Sequence, residues 1–272
     1  MRINHNISSI NAWKNLTITD LNMGKSLEKL SSGFRINRAA DDAAGLAISE
    51  KMRGQARGLA MAQKNALDAI SLIQTAEGAL TETHNALQRM RELAVQAASD
   101  SVTNEDRAHL NSEVDQLLLE IDRIATTTEF NTRKLLDGTF NGIFHIGANA
   151  GQTLALAIGN CGTAVAGLNI DTVDISTQAG ADGAITALDT AINTVSTRRA
   201  GLGAAQNRLE FTWANLGAAY ENISAAESRI RDTDMALEMA SFTKHQILLQ
   251  SGTAMLAQAN MKPQSMLQLL QG

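Results

Sequence analysis

The residues best able to catalyse a reaction or to bind a metal are five histidines and one cysteine, and they are scattered along the chain. They are His5, His84, His109, His145, His245 and Cys161. Zinc sites need ligands at short, fixed spacings such as H-E-x-x-H, and none of these histidines has such a partner. A lone cysteine supports neither a disulfide framework nor a multi-cysteine metal site. We therefore expect no catalytic, cofactor-binding or metal site, and we interpret the histidines as polar surface residues.

Other short motifs are equally weak. Residues 201–206, Gly-Leu-Gly-Ala-Ala-Gln, imitate the start of a dinucleotide fingerprint, but the third glycine and a preceding strand are missing. Neither a G-x-S-x-G nucleophile elbow nor a phosphate-binding P-loop occurs. The N-glycosylation triplets that begin at Asn6, Asn15 and Asn222 lie in helical stretches, where a chance match is the better explanation. The sequence does not support an enzyme.

Apolar residues at seven-residue spacing dominate the rest of the chain. The first heptad repeat is Met52, Leu59, Ala66, Ile73, Leu80, Leu87, Ala94; the second is Leu188, Val195, Leu202, Leu209, Leu216, Ile223, Ile230; the third is Met235, Phe242, Leu249, Leu256, Pro263, Leu270. An apolar stripe of this period lies along one side of a helix and is buried against other long helices. The sequence therefore predicts a function in assembly.

Composition agrees with thin, closely packed helices. The chain has 272 residues, 44% of them hydrophobic but only 3% aromatic, and a single proline. Its net charge of −5 comes from mixed signs without a basic tract, so nucleic acid is not an expected partner. No run of 18 apolar residues is present, and the N-terminus lacks the apolar core of a secretory signal. We expect neither a membrane span nor export by a cleaved signal.

The predicted fold is mainly α: a long antiparallel helical bundle, or coiled-coil rod, with a small β-hairpin. A helix is expected over residues 3–34, a very long one from about 43 to 99, and a shorter one after a capping arrangement at Thr103 and Asp106. Alternating apolar residues between 140 and 160 predict the hairpin. Residues 160–183 are expected to form a surface loop, and helices then continue from Ile185 to the C-terminus.

The first predicted helix is weak by itself. Its apolar residues are separated by asparagine and serine, and the burial of about ten large side chains does not offset the conformational entropy of ordering 32 residues. We expect this segment to be disordered unless partners cover it.

Several stretches closely resemble bacterial flagellin. They are SSGFRINRAADDAAGLAI at 31–48, QRMRELAVQ at 88–96, EFN at 129–131, KLL at 134–136, FHIGAN at 144–149, GAAQNRL at 203–209, SRIRDTDMA at 228–236 and LAQAN at 256–260. Apart from residues 160–183, the resemblance covers nearly the whole chain in order. The chain resembles a minimal member without large outer domains, in which Phe34 stands where the family usually has leucine.

The resemblance implies a discontinuous inner coiled-coil domain, residues 1–40 with 235–272, and a helical rod domain, residues 41–234. The inner coiled-coil and polymerisation residues would be Ile3, Ile7, Ile10, Leu27, Leu30, Phe242, Leu249, Leu256 and Leu270. The implied function is that of an extracellular subunit that polymerises with copies of itself into a hollow helical filament for swimming. The further partners implied are a type III export chaperone, a filament cap and hook–filament junction proteins.

The resemblance also implies recognition of the monomer by a Toll-like innate immune receptor. Arg89, Leu93 and Gln96 on the long helix, and Glu113 on the next, match the family's pattern. The same surface is also expected to pack between neighbouring subunits of a filament.

Three alternatives remain at this point. A hook–filament junction or cap protein could share terminal helices of this type. An intracellular coiled-coil scaffold would explain the heptad repeats, but not terminal helices that are too weak to stand alone. A secreted enzyme would need catalytic residues in the middle segment, which lacks histidine, glutamate and a paired nucleophile.

Overall fold

The computed structural model describes residues 6–164 and 167–270, with backbone alone for 263–270. The elements in this part of the chain are α1 (Ile7–Ser32), α2 (Ala43–Ala97), α3 (Asn104–Thr127), β1 (Glu129–Phe130), β2 (Arg133–Lys134), β3 (Asn141–His145), β4 (Thr153–Ala157), α4 (Gln178–Arg231) and α5 (Met235–Leu270). The prediction of a mainly α fold with long helices and a β-hairpin is confirmed. The chain forms two compact units: a terminal unit, residues 1–54 with 222–272, and a central unit, residues 55–221.

Local signals in the sequence explain where the shorter helices begin and end. Asn6 caps α1 by accepting a hydrogen bond from the Ser9 amide, and α1 ends at Gly33, whose φ of 75° suits the left-handed region that glycine tolerates. Thr103 and Asp106 form the predicted capping box at the start of α3, each side chain bonding the other's backbone amide.

Antiparallel packing of α2 against α4 builds the core of the central unit. Arg91 pairs with Asp189 at 2.6 Å, and Glu77 pairs with Arg199 at 3.6 Å, so the two helices run in opposite directions. The first two heptad repeats supply the buried seam: Leu59, Ala66, Ile73, Leu80, Leu87 and Ala94 from α2 and Leu188, Val195, Leu202, Leu209 and Leu216 from α4 are all at most 8% exposed. The heptad spacing therefore predicted this seam correctly.

The prediction of a surface loop at residues 160–183 is wrong. Leu168, Ile170, Val173 and Ile175 are buried, and α4 already begins at Gln178. Both the amide and the hydroxyl of Thr163 donate to the Asp122 carboxylate, each at 2.8 Å, and the Ile175 amide donates to Asn111 Oδ1 at 2.9 Å. These α3 side chains satisfy the irregular backbone, which allows the segment to cover the core without a regular repeat.

Two antiparallel hairpins are present in the described chain, where the sequence predicted one. The predicted hairpin pairs β3 with β4, from Asn141 opposite Ala157 to His145 opposite Thr153. The additional one pairs β1 with β2 through a two-residue turn at Asn131 and Thr132, whose φ values are 50° and 63°. Two positive φ values are typical of a type I′ turn, which favours glycine at its second position.

We expect Thr132→Gly to stabilise the protein by about 1 kcal/mol, because threonine adopts a left-handed conformation there at a cost that glycine avoids. Thermal unfolding of the two proteins measures the difference. Thr132→Ala serves as the control and should gain much less, since alanine keeps a Cβ. A loss of stability in the glycine variant would contradict the assignment of strain to this turn.

Within residues 6–164 and 167–270, no helix combines the length and hydropathy that a bilayer span requires.

Candidate assembly surface on the terminal helix pair

α1 and α5 pack side by side in antiparallel orientation. The Asn6 side-chain amide donates to the Ala259 carbonyl at 2.8 Å, and the Ser9 hydroxyl donates to Asn260 Oδ1 at 2.7 Å. At the other end of the pair, Lys29 lies 3.9 Å from Glu238.

The seam between the two helices consists of residues at alternating spacings of three and four. On α1 the less exposed positions are Ser9, Ala12, Leu16, Thr19, Met23, Ser26 and Leu30; on α5 they are Glu238, Phe242, His245, Leu249, Gly252, Leu256 and Ala259. A Cβ on Gly252 would lie 3.0 Å from Leu16 Cδ1, so the glycine allows the helices to approach closely. This alternation is the heptad pattern of a coiled coil, although many α1 residues in it are small or polar.

The structure places the proposed coiled-coil residues on two different surfaces. Leu30, Phe242, Leu249 and Leu256 lie on the seam. Ile7, Ile10 and Leu27 are 61%, 57% and 57% exposed, so they are not part of the contact between α1 and α5, and their role in polymerisation stays a prediction. Ile3 and the side chain of Leu270 lie outside the described residues.

The exposed apolar residues of α1 form a second face, which we call the outer face. Its four aliphatic members are Ile7, Ile10, Ile18 and Leu21, which are 47–62% exposed, and the exposed Lys14 and Lys25 lie on the same side of the helix. At 100° per residue these four side chains fall within an arc of about 80°, on the side of α1 opposite to the seam. Trp13, also exposed, lies about 60° outside this arc, between the outer face and the seam. Helix α1 therefore has two apolar sides, and the described residues cover only one.

Helix α5 also exposes apolar side chains outside the seam. Leu237, Leu248 and Met255 are 70%, 44% and 65% exposed, and their spacings of eleven and seven residues place them on one side of the helix. Large exposed apolar surfaces on a folded chain mark sites of interaction with another macromolecule. The terminal pair thus has the properties of an interaction surface.

The potential ligand and nucleophile side chains of the described residues lie apart from one another. His, Cys, Asp and Glu side chains of the described residues nowhere form a group of three that could hold a metal. Cys161 is buried, its thiol donates to the Gly159 carbonyl, and burial raises the pKa of the thiol, which keeps it neutral. His245 lies on the α1–α5 seam and His84 contacts Gln88 at 2.9 Å, so these two are only partly exposed, contrary to the surface positions expected.

Of the four residues proposed for receptor contact, three lie at the surface and one lies in the core. Arg89 pairs with Glu113 across α2 and α3 at 2.9 Å and with Glu92 at 3.3 Å, and Gln96 is exposed. Leu93 is only 1% exposed and belongs to the core of the central unit. Leu93 is therefore not available as a surface contact in this conformation, because the helix turns its side chain towards the apolar seam.

A mainly helical chain whose terminal helices expose apolar faces has features typical of structural proteins that assemble with copies of themselves. Comparison with known families gives the same class. Residues 3–141 match the bacterial flagellin N-terminal helical region, and residues 185–270 match the bacterial flagellin C-terminal helical region. The chain is 54% identical to a flagellin of Halalkalibacterium halodurans and 51% identical to a flagellin of Bacillus subtilis, each alignment covering 99% of this chain and all of the relative.

A solved structure agrees. The crystal structure of Bacillus cereus flagellin is 36% identical, with a TM-score of 0.51, over 60% of this chain and 94% of that one. The chain belongs to the bacterial flagellin family. It is accordingly a structural subunit of the flagellar filament, exported from the cell and extracellular.

Proposed function

We propose that the outer face of α1 and the exposed side of α5 are the surfaces by which neighbouring subunits pack in the core of the filament. The observation that carries this proposal is the outer face itself: four large aliphatic side chains on one side of α1, opposite to its seam with α5 and about half exposed or more. Burying this much apolar surface is the main favourable term in protein association.

The same surfaces account for folding on assembly. In a dilute subunit the terminal helices bury apolar surface only at the seam between them, where many α1 residues are small or polar. The free energy gained from this burial does not offset the conformational entropy lost when the two helices become ordered. In the filament, neighbours cover the remaining faces and the helices become ordered. Such ends suit transport of the chain in unfolded form through a type III export channel. An export chaperone would hold the C-terminal segment, and the subunit would add below a filament cap and above hook–filament junction proteins.

Seeded polymerisation of the purified chain tests the proposal. Short filament fragments added to monomer should elongate, as followed by light scattering and electron microscopy. Removal of residues 1–32 should abolish elongation and leave the thermal unfolding of the central unit unchanged. Elongation of the truncated chain at the normal rate would contradict the proposal.

A second proposal concerns the monomer: Arg89, Glu113 and Gln96 form a surface recognised by a Toll-like innate immune receptor, with Leu93 supporting it from the core. The ion pair between α2 and α3 favours this proposal, because it fixes a guanidinium and a carboxylate in one exposed arrangement. Arginine is enriched among residues that dominate binding energy at interfaces.

We expect Arg89→Ala to weaken activation of receptor-bearing reporter cells by about tenfold or more, since truncation of such a residue typically costs about 2 kcal/mol or more. Arg123→Ala is the matched control, because Arg123 is also exposed and pairs with a glutamate three residues away. Equal activation by the two variants would place the receptor contact elsewhere.

A further inference from the structure

The ends of α1 and α4 meet in a short contact that no heptad repeat predicts. The Thr233 amide donates to the Gly33 carbonyl at 3.0 Å, and the Arg35 amide donates to the Arg231 carbonyl at 2.6 Å. Phe34 and Asp232 form an isolated antiparallel bridge between them. We call residues 33–35 and 230–233 the clasp. Both parts belong to the terminal unit.

Arg231 lies at the centre of the clasp. Its guanidinium carbon is 4.8 Å from the centre of the Phe34 ring, and Nη1 donates to the Glu50 carboxylate. The side chain is 13% exposed, and its Nε is buried without a hydrogen-bond partner in the described structure. The Arg231 side chain, at the end of α4, therefore contacts both Phe34, which follows α1, and Glu50, near the start of α2.

A second arginine strengthens the contact from the opposite side. The Arg35 guanidinium donates to the Ile230 carbonyl at 2.5 Å, close to the point where α4 ends. Charge-assisted hydrogen bonds of this kind are directional, so they form at one alignment of the two segments and are lost at others.

The apolar residues of the seam specify the alignment of α1 and α5 only weakly, so the alignment depends on polar contacts: those of Asn6, Ser9 and Lys29 described above, and those of the clasp. Ser9, Ala12, Ser26, Gly252 and Ala259 lie on the seam, and such small side chains fit several alignments about equally well. In coiled coils, a unique register depends on a few specific polar contacts rather than on the apolar repeat. The clasp lies directly next to the C-terminal end of α1 and the N-terminal end of α5, where a register is most easily set.

We propose that the clasp fixes the starting positions of α1 and α5 relative to each other, and that Arg231 is its positioning residue. The proposal rests on the polymerisation function assigned above. By fixing the alignment of α1 and α5, the clasp also determines how the outer face of α1 is positioned for contact with the next subunit.

Arg231→Met in the full-length chain tests the proposal, with Arg229→Met as the matched control, since Arg229 is exposed two residues earlier on α4. Two quantities are measured: hydrogen exchange of the peptides that contain Arg35 and Thr233 in the monomer, and the critical concentration of seeded polymerisation.

We expect Arg231→Met to lose protection at both peptides and to raise the critical concentration about tenfold, because the cation–π contact and the charge-assisted bond to Glu50 are lost. The central unit should unfold at the wild-type temperature.

Two further variants separate positioning from general stability. Arg231→Lys keeps the charge beside Glu50, so its loss of exchange protection and its rise in critical concentration should be smaller than those of Arg231→Met. Phe34→Leu removes only the ring contact and should likewise show a smaller effect than Arg231→Met. Normal polymerisation of Arg231→Met would overturn the proposal, as would unfolding of the central unit in that variant. If the wild-type chain itself fails to polymerise, the filament function fails, while the exchange data still test whether Arg231 holds the clasp.

Discussion

Leu21→Asp is expected to block polymerisation while leaving the monomer folded. Leu21 is 62% exposed on the outer face of α1, so a carboxylate there costs little in the free subunit. In a filament the same carboxylate would be desolvated among the apolar side chains of the outer face, and Lys25, one turn further along α1, would offset only part of a cost of several kcal/mol per subunit. Because each 1.4 kcal/mol is about a factor of ten, the critical concentration should rise at least about 100-fold.

Asn15→Asp is the control for this variant. Asn15 is exposed on α1 but points away from the outer face, so the substitution adds the same charge to the same helix at a different angle. Its critical concentration should stay within about threefold of wild type, since exposed substitutions rarely exceed about 0.5 kcal/mol. Equal effects of the two substitutions would show that net charge, and not the outer face, controls assembly.

Leu87→Ala is expected to destabilise the central unit by about 3 kcal/mol, because Leu87 is fully buried in the seam of α2 with α4 and truncation removes apolar contacts and leaves a cavity. For a unit of this size, the midpoint of thermal unfolding should fall by roughly 10 °C. Circular dichroism or calorimetry of the monomer measures the shift.

Leu119→Ala provides the comparison, because Leu119 is 64% exposed on the neighbouring helix α3. The same atoms are removed, but they are already largely in contact with water. Its stability should change by less than about 0.5 kcal/mol. Similar losses in the two variants would mean that the first heptad repeat does not form the core.

The parts of the fold that the sequence predicts are those governed by periodicity or by short capping signals. The seam of the central unit follows from residues such as Ile73 and Leu80 on α2 and Val195 on α4, because a seven-residue spacing places the members of each repeat on one side of their helix. The capping box at Thr103 and the hairpin of β3 with β4 are likewise local in sequence.

The parts that the sequence does not predict depend on contacts between residues far apart in the chain. Residues 160–183 resemble a surface loop because part of their polar backbone is satisfied by distant groups, such as Asp122 and Asn111 on α3, which no local pattern reveals. Arg107 would also be taken for a surface residue, yet it is 7% exposed and donates to the Ala97 and Ser99 carbonyls.

The candidate site shows the same limit. On α1 the large aliphatic residues are the obvious choice for a coiled-coil seam, but α5 packs against a stripe that mixes Leu16 and Leu30 with small or polar residues and leaves Ile7 and Ile10 exposed. A helix with two apolar sides does not reveal which side its own chain will cover. The assignment of Leu93 to a surface fails for a related reason, since a motif gives residue types without their orientation.

Hydrogen exchange of α1 and α5 in monomer and in filament shows whether these helices fold only on assembly. We expect the amides of both helices beyond the clasp to exchange rapidly in dilute monomer and to become protected in the filament, whereas α2 and α4 should be protected in both states. Strong protection of α1 and α5 in dilute monomer, equal to that of α2, would contradict this expectation, because the terminal helices would then be stable without neighbouring subunits.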